Sequence, residues 1–324
     1  MLPEFNYARP STLAEAVRML GTPGARVHAG GTDLLGCLRD RVFGAETLVS
    51  LSRLGELRGI RAALDGGLVI GAMTTLAEVA SNPEIVGRYP TLAQAAAAAA
   101  SPQLRNQGTI GGNICQRPRC WYYRGEFHCA RKGGDSCFAA EGENQFHCIF
   151  GGEVCFYVHP SDTAPALVAL EALVRIAGPN GARSVPAEAF FVAPGTDYTR
   201  ETVLATGEIV TEVVLPAQPR GARGTYRKVR ARGAWDFALA GAAVAVSAPG
   251  GRVERARVVL SGVAAVPWRV PAAERALVGR RLGPVSASKA GAAATAGAQP
   301  LAGNAYKVEL VRGAVEEAVL ALAG

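Results

Sequence analysis

The sequence predicts an α+β protein of about two domains. In the first half, short amphipathic helical patterns alternate with β-prone segments, and in the second half several strand-like segments precede a helical tail. The length of 324 residues fits two domains, because one domain commonly holds roughly 100 to 200 residues. With 49% hydrophobic and 19% charged residues, the composition is that of a folded globular chain and excludes a disordered one.

Composition and charge narrow the classes of function. No apolar run reaches the roughly 20 residues that cross a bilayer, and the N-terminus carries no export signal, so we expect a cytoplasmic protein without a membrane span. The net charge of +7 permits an anionic ligand or an acidic partner. The basic residues form no long run and no aromatic-interleaved motif, so we expect no nucleic-acid binding.

The first third of the chain predicts three helices between β-prone segments. Thr12 and Glu15 have the spacing of a capping box at the start of a helix, and Thr75 and Glu78 repeat that spacing. The alanine-rich run TLAQAAAAAAS predicts a third helix that ends before Pro102. The segments ARVHAGG, TLVSLS and LVIGAM predict strands.

The middle of the chain departs from this regular pattern. Residues 116 to 152 show no sustained periodicity and predict a long loop inserted into the fold, which is uncommon unless the loop is functional. Regularity resumes at HPSDTAPALVALEALVRIAG, where Asp162 predicts a helix N-cap with Pro165 in the first turn. VRIAG then predicts a strand.

The last part of the chain predicts strands followed by helices. Strand patterns occur in GEIVTEVVLP, GTYRKVRAR, FALAGAAVAVSA and RVERARVVLSGVA, and the last two are joined as a hairpin at residues 249–251. From Ala272 onward the composition is helical. We therefore expect one domain over residues 1–215 and a second over residues 216–324.

The cysteines are clustered rather than scattered. Five of the seven lie between residues 120 and 155, which indicates a shared ligand. An odd count without an export signal disfavours disulfides. Zinc stays open, although the Cys-x2-Cys pairs typical of zinc sites are missing. We favour a 4Fe-4S cluster, because four thiolates from an irregular loop can bind one and thereby order the loop.

Spacing alone does not identify the four ligands. Cys148 lies among apolar neighbours in FHCIF and is expected to be a small buried hydrophobic residue. Cys115 directly follows a glycine turn and is expected to pack there. His128, His147 and His159 remain alternative ligands.

Two double-glycine turns stand before and after the predicted third helix. They are Ala29–Asp33 and Thr109–Asn113, and neither has the pattern of a Walker A loop or of a Rossmann GxGxxG motif. Consecutive glycines let backbone N–H groups turn toward an anion such as a pyrophosphate, although a plain tight turn explains each equally well. Together the two turns could clamp one dinucleotide.

Taken as a set, these motifs resemble a known family. AGGTDLL, IGAMTTLAEV, SPQLRNQGTIGGN and HPSDTAPAL, followed by GEIVTEVVLP, YRKVRARGAWDFALA and GNAYKVEL, are similar in order to the FAD-binding medium subunit of molybdenum hydroxylases. This is the family of xanthine dehydrogenase, aldehyde oxidoreductase and carbon monoxide dehydrogenase. The resemblance covers almost the whole chain. It implies a vanillyl-alcohol-oxidase-like FAD-binding domain of two subdomains and a smaller C-terminal domain of antiparallel strands and helices.

The resemblance also implies which residues bind FAD. The two glycine turns would hold the pyrophosphate, the Ser-Asp pair the ribose and phosphate, and two later residues would lie beside the flavin ring. For Lys228, a solvated strand lysine is the alternative. The implied FAD-binding residues are Ala29, Gly30, Gly31, Thr32, Asp33, Leu34, Thr109, Gly111, Gly112, Asn113, Ser161, Asp162, Val210 and Lys228.

The insert resembles that of one subclass of this family. QRPRCWYYR, CARK, SCFAA and the cysteine before HPSD are similar to the segment that carries an extra 4Fe-4S cluster in 4-hydroxybenzoyl-CoA reductase and in periplasmic aldehyde oxidoreductases. The resemblance implies a cluster insert over about residues 116–155, and its matching cysteines are Cys120, Cys129, Cys137 and Cys155.

The resemblance implies an electron-transfer subunit of an oxidoreductase complex, with no catalytic residues of its own and no activity alone. Its partners in a heterotrimer would be a large molybdenum-cofactor subunit and a small 2Fe-2S subunit, and its external acceptor ferredoxin, NAD, quinone or oxygen. A partner's export signal would place the complex in the periplasm instead. The alternatives are a zinc-stabilised scaffold subunit and an autonomous flavin oxidase.

Overall fold

The computed structural model describes residues 1–323, and its strands form three separate sheets. The first is a parallel sheet in the order β1-β3-β2, made of β1 (Asn6–Ala8), β2 (Ala25–His28) and β3 (Thr47–Ser50). Helices α1 (Leu13–Leu20) and α2 (Leu34–Arg39) connect its strands. The first glycine turn lies between β2 and α2, at one end of this sheet.

The capping box predicted for α1 forms only in part. The Thr12 hydroxyl accepts the N–H of Glu15, as predicted, but the Glu15 carboxylate accepts the N–H of Ser11 rather than that of Thr12. At Thr75 and Glu78 both reciprocal hydrogen bonds are present. The second box is therefore complete, and the first is displaced by one residue.

The second sheet is antiparallel and contains five strands in the order β4-β5-β8-β6-β7. The central strand β8 corresponds to GEIVTEVVLP and pairs with two strands that are distant from it in sequence. The short strands β4 and β7 were not predicted, because their exposed residues show little apolar alternation. The bounds are β4 Ile60–Ala62, β5 Leu68–Gly71, β6 Leu173–Gly178, β7 Gly181–Pro186 and β8 Ile209–Leu215.

Five helices lie between β5 and the insert. The alanine-rich helix ends at Ala98, and Ala100 takes a left-handed conformation with φ of 48°, so the chain turns before α6 begins at Pro102. The second glycine turn, predicted as a turn, opens the short helix α7. The bounds are α3 Leu76–Ser81, α4 Pro83–Arg88, α5 Pro90–Ala98, α6 Pro102–Gln107 and α7 Ile110–Ile114.

The insert has little regular structure, as predicted. It contains the one-turn helix α8 (Trp121–Arg124) and a 3-10 turn at Ala130–Lys132. Aromatic side chains fill it instead, and the rings of Tyr122 and Phe127, for example, meet edge to face with centroids 4.9 Å apart. After the insert come α9 (Thr163–Ala169) and two four-residue helices, α10 (Ala187–Phe190) and α11 (Pro194–Asp197).

The third sheet is antiparallel, with the order β12-β11-β10-β9. Its strands confirm the predicted meander, including the hairpin between β10 and β11. Three helices follow and share an apolar core with the sheet, which confirms the predicted helical tail. The bounds are β9 Ala222–Val229, β10 Ala240–Ser247, β11 Arg255–Ser261, β12 Trp268–Arg269, α12 Pro271–Leu277, α13 Pro284–Ala294 and α14 Tyr306–Leu320.

The described chain contains no candidate for a membrane-spanning helix. Within residues 1–323, no helix combines the length and the apolar character that crossing a bilayer needs.

Candidate functional site

A cavity of about 700 Å³ lies where the two glycine turns meet. Its size is that of pockets that bind cofactors and other small molecules, which commonly span roughly 300 to 1,000 Å³. The FAD-binding residues inferred from the sequence line this cavity, with the exception of Ser161 and Lys228. Those that line it are Ala29, Gly30, Gly31, Thr32, Asp33, Leu34, Thr109, Gly111, Gly112, Asn113, Asp162 and Val210.

The glycines are required by close backbone approach. A Cβ atom on Gly30 would overlap the carbonyl oxygen of Gln107, and one on Gly111 would lie 2.8 Å from the Cβ of Ala72. Gly31 has φ of 74°, a left-handed conformation that favours glycine. The turns are therefore packed so closely at Gly30 and Gly111 that these two positions have no room for a side chain.

The first turn also offers free hydrogen-bond donors. The backbone N–H groups of Gly30, Gly31 and Thr32 donate to no group of residues 1–323. In the second turn, by contrast, the N–H of Gly112 donates to the Thr109 hydroxyl over 3.1 Å. Successive unpaired N–H groups that line a cavity form a nest, and a nest favours an anion.

The Ser-Asp pair has a different role at the helix end from the one predicted. Ser161, not Asp162, caps α9, since its hydroxyl oxygen accepts the N–H of Ala164 over 3.0 Å. Asp162 makes no side-chain capping bond, because its backbone is already helical. The Ser161 hydroxyl also donates to the side-chain oxygen of Asn113, so this pair ties α9 to the second glycine turn.

The carboxylate of Asp162 is engaged by two protein donors. It accepts the Tyr226 hydroxyl over 2.7 Å and the Lys228 ammonium over 2.8 Å. Burial raises the pKa of Asp162, while the neighbouring Lys228 opposes this shift. Lys228 is itself almost fully buried, with 4% of its side chain exposed, so the interpretation as a solvated strand lysine is wrong.

Asp33 links the first glycine turn to the insert. Its carboxylate accepts the backbone N–H of Arg117 over 2.7 Å and forms ion pairs with Arg119 at 3.0 Å and Arg124 at 2.7 Å. The insert therefore contributes part of the cavity wall and holds the turn in place.

Several residues of the cavity wall were not predicted from the sequence. Five of them lie within the segments QRPRCWYYR and YRKVRARGAWDFALA, whose resemblance to the family assigned these residues no role, and only the fold brings the segments together. These basic and aromatic residues are Arg26, Phe43, Arg117, Arg119, Arg232, Trp235 and Phe237. The guanidinium groups of Arg26 and Arg117 both lie over the Phe43 ring, at 4.8 and 5.3 Å from its centroid.

Four cysteines of the insert line a second, small cavity. They are the four inferred as cluster ligands, Cys120, Cys129, Cys137 and Cys155. Cys155 lies beside Cys137, and this neighbour lowers the pKa of Cys137, while Cys137 raises that of Cys155. Within residues 1–323, no three Cys, His, Asp or Glu side chains have the arrangement of ligands to a single metal ion.

The other cysteines and histidines lie apart from the second cavity, with one exception. Cys148 is buried and Cys115 packs against the main core, as predicted, and burial raises the pKa of each to about 12. His128 is exposed, and the ring of His159 meets that of Phe191 edge to face, with centroids 4.8 Å apart. All seven cysteines are free thiols, so the disulfide alternative is contradicted.

His147 is the exception. Its Nε2 atom lies 3.2 Å from the Cys120 sulfur, although no feature of the sequence connects the two residues. Burial lowers the pKa of His147 to about 4, so the ring is neutral near pH 7.

A buried ion-pair chain connects the two cavities. Arg117, which lines the first cavity, pairs with Glu201, and Glu201 also pairs with Arg131, which lines the second. The Arg131 guanidinium lies over the Tyr157 ring, 4.7 Å from its centroid. The side chains of Glu201 and Arg131 are 6% and 2% exposed, so their pair is shielded from solvent, while Arg117 at the other end of the link is half-buried.

Comparison with known families assigns both halves of the chain. Residues 3–218 match the family described as FAD binding domain in molybdopterin dehydrogenase, and residues 224–322 match the CO dehydrogenase flavoprotein C-terminal domain. Together with the fold, these matches confirm the predicted α+β class.

Individual proteins are similar over most of their length. The aldehyde oxidoreductase FAD-binding subunit PaoB of Escherichia coli is 38% identical over 84% of this chain and 86% of its own. The carbon monoxide dehydrogenase medium chain of Hydrogenophaga pseudoflava is 34% identical over 98% and 96%. A solved structure of that dehydrogenase, lacking the Mo-pyranopterin moiety, superposes with a TM-score of 0.79 at 33% identity, covering 98% of this chain and 97% of the other. The chain therefore belongs to the family of FAD-binding medium subunits of molybdenum hydroxylases.

Proposed function

We propose that this chain transfers electrons within a molybdenum hydroxylase complex, with FAD in the larger cavity and a 4Fe-4S cluster at the four-cysteine cavity. The observation that carries the proposal is the pairing of these two cavities through the buried chain Arg117–Glu201–Arg131. A wall shared by two cofactor sites is what an electron-transfer subunit needs, because electrons pass between centres that are held close together.

The FAD site rests on the first glycine turn and on the shape of the cavity. The free N–H groups of Gly30, Gly31 and Thr32 fit the pyrophosphate, with the second turn as the opposite wall. Val210 would pack against the flavin ring. Asp162 retains acceptor capacity for a ribose hydroxyl beside its two protein donors, and Lys228 acts through Asp162.

The cluster site rests on the chemistry of the four thiols. They come from an irregular insert and converge on one cavity. Thiolates are the usual ligands of 4Fe-4S clusters. The positive charge of Arg131 beside them would stabilise a negatively charged cluster.

When bound, FAD exchanges one or two electrons and an iron-sulfur cluster exchanges one at a time. The chain itself binds and orients both groups and shields the wall between them from water. Oxidation of the organic substrate would take place on another subunit.

The partners follow from this assignment. The relatives are named as subunits of aldehyde oxidoreductase and carbon monoxide dehydrogenase. We infer a heterotrimer with a large molybdenum-cofactor subunit and a small 2Fe-2S subunit, and an external acceptor that is ferredoxin, NAD, quinone or oxygen. We also propose two domains, residues 1–215 and residues 216–324. The complex would lie in the cytoplasm or, where a partner is exported, in the periplasm.

The test is cofactor analysis of the complex, co-expressed with its partners and purified without oxygen. We expect about one FAD per medium subunit and about four irons beyond those of the partner clusters. Replacing a proposed ligand, Cys129→Ser, should remove these irons and leave the FAD in place. Cys148→Ser is the control and should retain them. Zinc in place of iron would contradict the cluster and favour a zinc-stabilised scaffold, and absence of FAD would contradict the flavoprotein assignment.

A further inference from the structure

The imidazole of His147 is held against one of the four cavity cysteines. Its Nε2 atom lies 3.2 Å from the Cys120 sulfur, and the side chain is buried, with the residue only 3% exposed. The Trp121 ring meets it edge to face at 5.5 Å, and the Tyr122 ring lies at 6.0 Å. The ring therefore cannot turn away from the sulfur without disturbing this aromatic packing.

The direction of the hydrogen bond follows from the chemistry of the two atoms. A cysteine thiolate that ligates iron has no proton and can only accept. An imidazole can carry a hydrogen on Nε2 in either protonation state, and the Nδ1 atom of His147 has no partner within residues 1–323. The arrangement that satisfies the sulfur places the hydrogen on Nε2, so His147 donates to Cys120.

The C-terminal part of the chain holds the backbone on which His147 sits. The Asn304 side chain, fully buried, donates to the carbonyl oxygens of both His147 and Cys148 over 3.1 Å. The buried Lys307 ammonium donates to Phe146 over 3.1 Å, and the N–H of Gly303 donates to the Asn144 side chain over 2.8 Å. Residues between Asn144 and Cys148 are thus held by the 303–307 segment, which comprises the end of the turn before α14 and the first two residues of that helix.

We propose that His147 is a positioning residue of the 4Fe-4S site, donating an N–H···S hydrogen bond to Cys120, and that the 303–307 segment fixes it there. The inference rests on the proposed function, since it concerns the cluster. A hydrogen bond to a ligand sulfur stabilises the more negative, reduced form of a cluster more than the oxidised form, and it therefore raises the reduction potential. The GNAYK segment accordingly serves the insert, which is distant from it in sequence.

The test is an EPR-monitored redox titration of the complex with His147→Phe, which keeps a planar ring but removes the donor. We expect the reduction equilibrium to shift about tenfold toward the oxidised cluster, which corresponds to a potential lower by about 59 mV for one electron. His147→Gln restores a side-chain N–H and should recover most of this shift. His128→Phe changes an exposed histidine of the same insert and should leave the potential unchanged.

Iron content separates the possible failures. A wild-type complex without the additional irons contradicts the proposed function itself. Full iron content with the same potential in the wild type, His147→Phe and His147→Gln overturns the role of His147 alone. If His147→Phe assembles no cluster, the potential is measured in Asn304→Ala instead. This variant keeps the imidazole but removes the hydrogen bond from Asn304 to the His147 backbone. A lowered potential in Asn304→Ala supports the inference, and an unchanged one overturns it.

Discussion

Among single residues, Asp162 lines the larger cavity and forms a buried ion pair with Lys228 behind it. The Lys228 ammonium also donates to the carbonyl oxygen of Ala98 over 3.1 Å, and the Tyr226 hydroxyl is shared between Asp162 and Ser261. Each polar group in this network has a partner, as the low polarity of a protein interior requires. Removing one member leaves a buried charge without compensation.

We therefore expect Asp162→Asn and Lys228→Met to be strongly destabilising one at a time. Breaking a buried pair from one side commonly costs about 3–5 kcal/mol. The double variant Asp162→Asn/Lys228→Met should be more stable than the sum of the two single effects predicts, because neither charge remains. Thermal unfolding of the wild type, the two single variants and the double variant checks this double-mutant cycle, and FAD content is measured for each protein. Strictly additive losses would show that the two residues are not coupled.

Lys307 is a second buried charge, and it has no carboxylate partner within residues 1–323. Burial lowers its pKa from 10.5 to about 7. Between about pH 7 and 10.5 the unfolded chain therefore binds more protons at this residue than the folded protein, so the free energy of unfolding rises with pH. The slope of the free energy of unfolding against pH approaches about 1.4 kcal/mol per pH unit and falls to zero below about pH 7.

Lys307→Met removes the titrating ammonium group. The free energy of unfolding of this variant should therefore lack the rise between pH 7 and 10.5 that Lys307 causes in the wild type. The measurement is the difference between the melting temperatures of the wild type and Lys307→Met at a series of pH values from 6.5 to 9.5. The difference should move in favour of the wild type as the pH increases. A difference that does not vary with pH would show that Lys307 keeps an ordinary pKa in the folded protein.

At the scale of elements, the glycine turns depend on the segments packed against them. Gly30 faces the carbonyl oxygen of Gln107 so closely that any side chain forces the two turns apart. The turn preceding α2 is therefore fixed by the end of α6, and the cavity between the turns is set by both.

Gly30→Ala should consequently open the FAD site. We expect loss of most of the bound FAD and a lower melting temperature, measured from the flavin absorbance per chain and by thermal unfolding. Gly44→Ala is the matched control, since a Cβ there meets no atom within 4 Å. Normal FAD content in Gly30→Ala would show that the turns tolerate separation.

At the scale of the whole molecule, the main apolar core crosses the boundary inferred at residue 215. Tyr226, Ala243 and Val259 of the third sheet belong to the same buried cluster as Leu167 and Val174 from the first part of the chain. The sheet of β9–β12 and the helix α9 therefore protect each other from water.

We expect the chain to unfold in a single cooperative transition for this reason. A fragment of residues 1–215 would expose the apolar surface that Tyr226, Ala243 and Val259 cover, and it should aggregate or remain without a cooperative melt. Calorimetry of the intact chain and circular dichroism of the fragment provide the measurement. Two separate transitions, or a fragment that melts cooperatively, would show that the parts fold independently.

Local patterns account for what was predicted correctly. Apolar periodicity predicts the strands β5, β8, β10 and β11 and the helical tail. The four thiols of the second cavity are implied by the family resemblance and not by their spacing. The edge strands β4 and β7 were missed because exposed edges carry little apolar signal. The N-cap was placed at Asp162 instead of Ser161 because both residue types cap helices and only backbone geometry distinguishes them.

Local sequence patterns are sufficient to predict the order of most strands and helices, the presence of an irregular cysteine-rich insert, and the two glycine turns. Each of these depends on neighbours within a few residues. The tertiary structure alone decided that Asp33 and Glu201 bind the arginines of the insert, that Lys228 reaches Asp162, and that Asn304 supports His147. Partners that are distant along the chain share no local pattern, and burial strengthens their interaction only after the core has brought them together.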